Sequence, residues 1–114
     1  MLWVERNVSL FTETMTVYKF LQQFYSNIDY YIPDRYDEGY GVSKKGIDFA
    51  HQTGVKLIII LDCGIKAIQE IEYAKSLGID FIICDHHVPD DVMPPAVAIL
   101  NPKRPDDPFP FKHL

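Results

Sequence analysis

Two apolar stretches that end in polar residues decide the fold: VKLIIILDCG at residues 55–64 and GIDFIICDHH at residues 78–87. Each is a short run rich in isoleucine, which is typical of a strand buried on both faces of a parallel sheet. Between the two runs, Ile65, Ile68 and Ile71 recur at helical spacing. Strand, helix and strand in succession predict a right-handed crossover, and therefore an α/β fold with a parallel sheet and crossover helices.

The same alternation continues in both directions along the chain. Towards the N-terminus we predict a helix that begins near Val17, a short strand at residues 28–32, and a helix capped by Ser43 and ended by Gly54. Towards the C-terminus, residues 96–100 are apolar and predict a further strand. The tail that follows contains four prolines and shows no periodicity, which predicts a loop.

Composition limits the classes of function. The 114 residues carry a net charge of -5, with 47% hydrophobic and 24% charged residues, which excludes wholesale disorder. No apolar run reaches the roughly 20 residues that a membrane span needs, and no signal peptide is recognisable. Cys63 and Cys84 match neither a disulfide framework nor a zinc-finger spacing, so we expect a cytoplasmic location. The excess of acidic over basic residues argues against a chain that binds a nucleic-acid backbone by itself.

Chemically capable residues follow both central strands. Asp62 follows the first strand, and Asp85, His86 and His87 follow the second. Because the carboxyl ends of neighbouring parallel strands meet at one edge of a sheet, we expect these side chains to converge. Carboxylate and imidazole together suit a divalent ion such as manganese. On the residues alone, an ordinary helix cap at Asp62 and a solvated histidine pair remain alternatives.

The loop PDRYDEGYG at residues 33–41 is the third candidate feature. Arg35 could clamp a phosphate with two hydrogen bonds, and the tyrosines of the loop could stack on a base. The alternative is an ordinary turn in which Arg35 pairs with Asp37 or Glu38. The loop by itself does not separate the two interpretations.

Together these motifs resemble the DHH phosphoesterases, and within them the RecJ family of single-strand-specific 5′-to-3′ DNA exonucleases. The triplet at residues 85–87 is the signature of the superfamily. The features that resemble the RecJ family are the segments at residues 32–42, 61–65, 94–102 and 109–112. The resemblance covers about residues 18–114, which we interpret as a partial DHH-type N-terminal domain. It leaves residues 1–17 as an aberrant N-terminal segment.

The resemblance implies a metal-dependent hydrolase that cleaves phosphodiester bonds of single-stranded DNA in repair and recombination. Asp62 and His86 would bind Mn²⁺ or Mg²⁺. Asp85 and His87 would be catalytic: Asp85 would orient the histidines, and His87 would lie near the scissile phosphate. Arg35 and His87 would contact the substrate. No membrane partner is implied.

The first family motif, Asp-x-Asp-Gly, is missing from its expected place before the helix near Val17. Residues 8–16 occupy that place, with Glu13 as their only carboxylate. Codons for residues 11–16 that are read two bases out of frame can spell Tyr-Gly-Asp-Tyr-Asp, which matches the start of the motif. We therefore hypothesise a disrupted reading frame near the N-terminus.

The fourth motif, which supplies another aspartate ligand, has no counterpart in this sequence either. We therefore expect an incomplete metal site, negligible nuclease activity from this chain alone, and a sheet edge exposed by a missing first strand. Two alternatives stay open. One is a non-catalytic α/β remnant or interaction module, and the other is a small DHH phosphodiesterase or pyrophosphatase.

Overall fold

The computed structural model describes residues 2–4, 8–31, 41–61, 63–106 and 108. Its elements, in chain order, are β1 (Leu2–Val4), α1 (Val8–Gln22), β2 (Tyr30–Tyr31), α2 (Lys44–Gln52), β3 (Leu57–Leu61), α3 (Ile68–Ser76), β4 (Asp80–Cys84) and β5 (Ala98–Leu100). The five strands form one sheet in the order β2-β1-β3-β4-β5, and every neighbouring pair is parallel. The predicted α/β fold with a parallel sheet is confirmed.

The central strands β3 and β4 end level with each other. Leu57 pairs with Asp80 and the register runs without a break to Leu61 and Cys84. The chain therefore leaves the sheet at adjacent points after Leu61 and after Cys84. This register is what brings the two candidate loops to one edge.

The core lies between the sheet and the helices α2 and α3. Alternate residues of the central strands are fully buried, and Ile47 of α2 and Ile71 of α3 pack in the same cluster. Helix α2 begins as predicted, because the Oγ of Ser43 accepts the N–H of Gly46 at 3.1 Å. The two residues before this cap, Gly41 and Val42, line the same cleft as Gly64 and Asp85 at the strand ends.

The N-terminal region differs from the prediction of a missing strand. Leu2–Val4 forms β1, which pairs with β3 on one side and with β2 on the other. The prediction of a sheet edge exposed by a missing first strand is therefore wrong. The sequence of β1 includes Trp3 and Val4, residue types that are common in strands. Helix α1 begins at Val8, not near Val17, because no glycine or proline interrupts residues 8–16. The boundary after residue 17 stays a prediction, and α1 crosses it.

Candidate metal-binding site

The triplet Asp85-His86-His87 begins the loop that follows β4. The N–H of Asp85 donates to the carbonyl of Leu100 at 3.0 Å, so the loop starts as an extension of the sheet. The side chain of Asp85 is 1% exposed, whereas that of His87 is 44% exposed. A buried carboxylate therefore supports imidazoles at the surface.

The carboxylate of Asp85 accepts hydrogen bonds from two loops. Its Oδ1 accepts the backbone N–H groups of His86 at 2.7 Å and His87 at 3.1 Å, and it lies 2.5 Å from the Nδ1 of His87. Its Oδ2 accepts the N–H of Ile65, in the turn after β3, at 3.2 Å. These donors compensate the burial of the charge and orient the carboxylate. Asp85 is thus placed to hold the histidines, with both of its oxygens engaged.

The two imidazoles lie side by side, with ring centroids 4.5 Å apart and planes inclined by 27°. Because Nδ1 of His87 faces the carboxylate of Asp85, we assign its proton to that nitrogen. Within the described part of the chain, the Nε2 of His87 makes no hydrogen bond. In the neutral imidazole this nitrogen carries a lone pair, which can bind a metal or accept a proton.

An open cleft of about 480 Å³ lies beside the triplet. It is lined by Gly41, Val42, Cys63, Gly64, Ile65, Lys66, Ala67, Glu70, Asp85, His87 and Val88. Four segments meet there: the residues before α2, the first turn of α3, the turn after β3 and the loop after β4. At its edge the Nζ of Lys66 lies 3.6 Å from the Oδ1 of Asp90, so an exposed ion pair connects the last two segments.

Ligand atoms of Asp85, His86 and His87 all lie within 4.8 Å of one another, so this cluster could hold a metal ion. Asp85 is already occupied by hydrogen bonds, and the donors that suit a metal best are therefore the imidazoles of His86 and His87. Imidazole fits a divalent transition metal, while manganese also favours carboxylate oxygen. The described residues accordingly supply part of a ligand set.

The other predicted site residues, Asp62 and Arg35, lie outside the described residues. Their roles, and those of the triplet, stay predictions. Leu61 and Cys84, the last residues of β3 and β4, are register partners.

Sequence reasoning missed two groups beside the triplet. One is the backbone N–H of Ile65, which carries no side-chain signal. The other is Asn101, which is 1% exposed and donates from Nδ2 to the carbonyl of His87 at 2.8 Å. Asn101 follows β5 directly, so the strand-end argument that identified Asp62 and Asp85 applies to it as well.

Neither cysteine beside the site, Cys63 or Cys84, forms a disulfide. Cys63 is buried and lines the cleft, and Cys84 ends β4. Burial raises the pKa of the Cys84 thiol, which keeps it protonated at neutral pH. A protonated thiol is a poor metal ligand, so Cys84 is better suited to packing.

The fold and the triplet define the class of protein. The family model described as DHH family, N-terminal domain, matches residues 11–108, and the chain belongs to the DHH family. Among its relatives are proteins named single-stranded-DNA-specific exonuclease RecJ. The chain is 48% identical over 89 residues to RecJ of Escherichia coli, and 43% identical over 103 residues to RecJ of Bacillus subtilis. The two alignments cover 78% and 90% of this chain, but only 15% and 13% of those relatives.

Solved structures agree with this placement. An exonuclease RecJ bound to manganese superimposes with a TM-score of 0.76 at 27% identity, over 93% of this chain and 28% of that one. RecJ of Thermus thermophilus in complex with Mn²⁺ superimposes with a TM-score of 0.69 at 21% identity, over 92% and 15% of the two chains, and supports the fold. Among the described residues, no helix has the length and apolar character needed to cross a membrane.

Proposed function

We propose that this chain is part of the catalytic domain of a RecJ-type exonuclease. The reaction is metal-dependent hydrolysis of phosphodiester bonds in single-stranded DNA, from the 5′ end, in cytoplasmic DNA repair and recombination. The relatives named single-stranded-DNA-specific exonuclease support the substrate, and the similar structure of an exonuclease RecJ bound to manganese supports the metal. The chain spans about 15% of the length of the first of these relatives, so the proposal concerns the activity of a longer enzyme.

The observation that carries the proposal is the hydrogen bonding of Asp85. One buried carboxylate accepts N–H groups from the turn after β3 and from the histidine loop after β4. This arrangement joins the turn after β3, which Asp62 precedes in sequence, to the loop that contains His86. A metal site whose ligands come from two strand ends needs such a connection. Ligands at the surface are not fixed by packing, so hydrogen bonds from a buried neighbour must orient them.

In the proposed mechanism, His86 and Asp62 would hold a divalent ion. When bound, such an ion activates water and stabilises charge on the phosphate. Asp85 holds the imidazole of His87 through Nδ1, which leaves the lone pair of Nε2 available to accept a proton; only the protonated Nε2 could donate to a phosphate oxygen. Arg35 contributes charge for phosphate binding. The cleft of about 480 Å³ beside His87 accommodates the substrate.

By itself, the chain is expected to bind one ion weakly and to release little product. The described residues supply only part of a ligand set, and the sequence contains no Asp-x-Asp-Gly segment. Loss of metal ligands removes most catalysis of this kind, since water is no longer activated.

Manganese binding by the chain tests the proposed site. Paramagnetic broadening during a Mn²⁺ titration should be strongest at the triplet, and His86→Ala should weaken the affinity by about tenfold or more. His51→Ala is the matched control, because His51 is an exposed histidine on α2. Equal affinities for the His86→Ala variant and the unmodified chain would contradict the proposal.

Activity assays separate the alternatives. Manganese-dependent shortening of single-stranded DNA that disappears in His86→Ala would confirm the reaction and overturn the expected inactivity of the chain alone. Hydrolysis of pyrophosphate without any action on DNA would instead favour a small DHH hydrolase. Absence of both activities, together with manganese binding that is independent of His86, would favour a non-catalytic module.

A further inference from the structure

The segment that follows β5 folds into a turn, Asn101–Asp106, which we call the clasp. The Oδ1 of Asn101 accepts the N–H of Lys103 at 2.9 Å. Arg104 donates from Nη1 to the carbonyl of Ile99 at 2.8 Å, and from Nε and Nη2 to the two carboxylate oxygens of Asp106 at 3.0 and 2.8 Å. The clasp is therefore tied both to itself and to β5.

These bonds determine how the Asn101 amide is oriented. Its Oδ1 is committed to the N–H of Lys103, so its Nδ2 must be the group that faces the carbonyl of His87, 2.8 Å away. The opposite orientation would place two oxygens together at His87 and two donors together at Lys103. Because the side chain is 1% exposed, water cannot replace either bond easily.

The Asn101 bond reaches a part of the chain with little regular structure. Residues 88–97 connect the triplet to β5 and contain no helix or strand. At the start of this connection, Asp85 accepts from the N–H and faces the Nδ1 of His87, while Asn101 donates to its carbonyl. The buried side chains of Asp85 and Asn101, at neighbouring strand ends, thus contact three polar groups of His87: its N–H, its Nδ1 and its carbonyl.

The two strand ends are themselves joined. The N–H of Asp85 donates to the carbonyl of Leu100, the residue before Asn101, at 3.0 Å. The end of β5 is therefore hydrogen-bonded both to the N–H of Asp85 and to the carbonyl of His87. The hydrogen bond from Asn101 to the carbonyl of His87 fixes the peptide plane that follows His87. This backbone position determines whether the imidazole of His87 can reach the carboxylate of Asp85.

We propose that Asn101 is a positioning residue for His87: the side-chain amide of Asn101, at the end of β5, sets the place from which His87 presents its imidazole to the cleft. This inference deepens the proposed function and rests on it for the chemical role of His87. It adds the end of a third strand, β5, to a site that the motifs assign to β3 and β4. Asn101 itself contacts neither metal nor substrate in this proposal.

The Asn101→Asp variant provides a selective test. Aspartate keeps the oxygen that accepts from Lys103, but it places a second oxygen against the carbonyl of His87. The readout is the ring nitrogen spectrum of His87 in the ¹⁵N-labelled chain, without metal or DNA. We expect the unmodified chain to show one His87 tautomer, with the proton on Nδ1. In the variant, the signals of the two ring nitrogens should be averaged. The amide signals of the core residues Ile58 and Phe81 should stay unchanged, which would show that the fold is retained.

Arg104→Gln is the matched control, because it removes bonds within the clasp and leaves both hydrogen bonds of Asn101 in place. The His87 spectrum of this control should remain that of the unmodified chain. If the buried charge of Asn101→Asp unfolds the chain, Asn101→Ser supplies the same measurement with a neutral side chain too short to span to His87. The expected result is again loss of the single tautomer.

Two outcomes would overturn the inference. One is an unchanged His87 spectrum in a folded Asn101 variant. The other is unfolding of both Asn101 variants, which would assign this residue to folding in general and not to the position of His87. Neither outcome bears on manganese binding at His86, so failure of this inference is distinguishable from failure of the proposed function.

Discussion

The Oδ2 of Asp85 accepts the N–H of Ile65 at 3.2 Å, across 20 residues of sequence. The same carboxylate accepts the N–H groups of His86 and His87 through Oδ1. Ile65 lies in the turn after β3 and the histidines lie in the loop after β4, so Asp85 connects these two segments. A residue of the DHH triplet thus acts here as the connection between two parts of the site.

Replacing Asp85 with asparagine should damage both loops at once. An amide would turn one acceptor into a donor, which would then face either the N–H of Ile65 or those of the histidines. We expect a loss of about 1–3 kcal/mol in the free energy of unfolding, measured by urea denaturation. Asp91→Asn, in the same loop but exposed, is the control and should change stability by less than about 0.5 kcal/mol. Equal stability of the two variants would refute the connecting role.

A methyl group at Gly64 should strain the turn after β3. Gly64 has φ of +100°, and a Cβ there would lie 3.1 Å from the Cδ1 of Ile60. Gly54 also has a positive φ, of +80°, but a Cβ there would meet nothing within 4 Å. Gly54→Ala should therefore cost about 1–2 kcal/mol from the backbone alone, and Gly64→Ala should cost more, by thermal or urea unfolding.

The Ile60→Val substitution separates the two contributions at Gly64. It removes the Cδ1 atom that the added methyl group would meet. An Ile-to-Val substitution in a core usually lowers the free energy of unfolding by about 0.5–1.5 kcal/mol. In the Gly64→Ala background the loss caused by Ile60→Val should be smaller, because crowding is relieved. Strictly additive effects of the two substitutions would show that crowding by Ile60 contributes nothing.

The contact between α2 and α3 should weaken at alkaline pH. The hydroxyl of Tyr73 donates to the Oδ1 of Asp48, and this bond raises the pKa of Tyr73 above its usual value. The neutral phenol is thus favoured in the folded chain. The stabilisation is fully present below the unfolded pKa of about 10 and is lost as the pH rises through the higher folded value.

Tyr73→Phe should accordingly lower the unfolding midpoint at pH 7, and the difference from the unmodified chain should vanish at strongly alkaline pH. Asp48→Asn should return the pKa of Tyr73 towards its ordinary value, which absorbance of tyrosinate can follow against the Tyr73→Phe variant. A Tyr73 titration that is unchanged by Asp48→Asn would contradict this assignment.

Alkylation of Cys84 should be slow at mildly alkaline pH. Burial raises the pKa of its thiol, and only the thiolate reacts with iodoacetamide. In a Cys63→Ser variant, which leaves Cys84 as the single cysteine, we expect slower modification at pH 8 in buffer than in 8 M urea, followed by mass spectrometry. Equal rates in the two conditions would mean that the folded chain does not protect this thiol.

The local patterns were sufficient for most of the sheet and for the choice of triplet. Isoleucine-rich runs bounded by glycine predicted β3 and β4, and Ser43 predicted the start of α2, because burial and capping depend on neighbours in sequence. The N-terminal strand was not predicted. Whether Leu2–Val4 pairs with β3 depends on long-range hydrogen bonds, to which its own sequence contributes only a preference for extended backbone.

The sequence by itself determined the parallel α/β architecture and the place of Asp85, His86 and His87 at a strand end. Only the tertiary structure decided which groups these residues meet. The N–H of Ile65 is a backbone donor common to almost every residue, and Asn101 reaches His87 from 14 residues away. Such contacts depend on the register of β3, β4 and β5, since a parallel sheet brings distant strand ends together only after every crossover has formed.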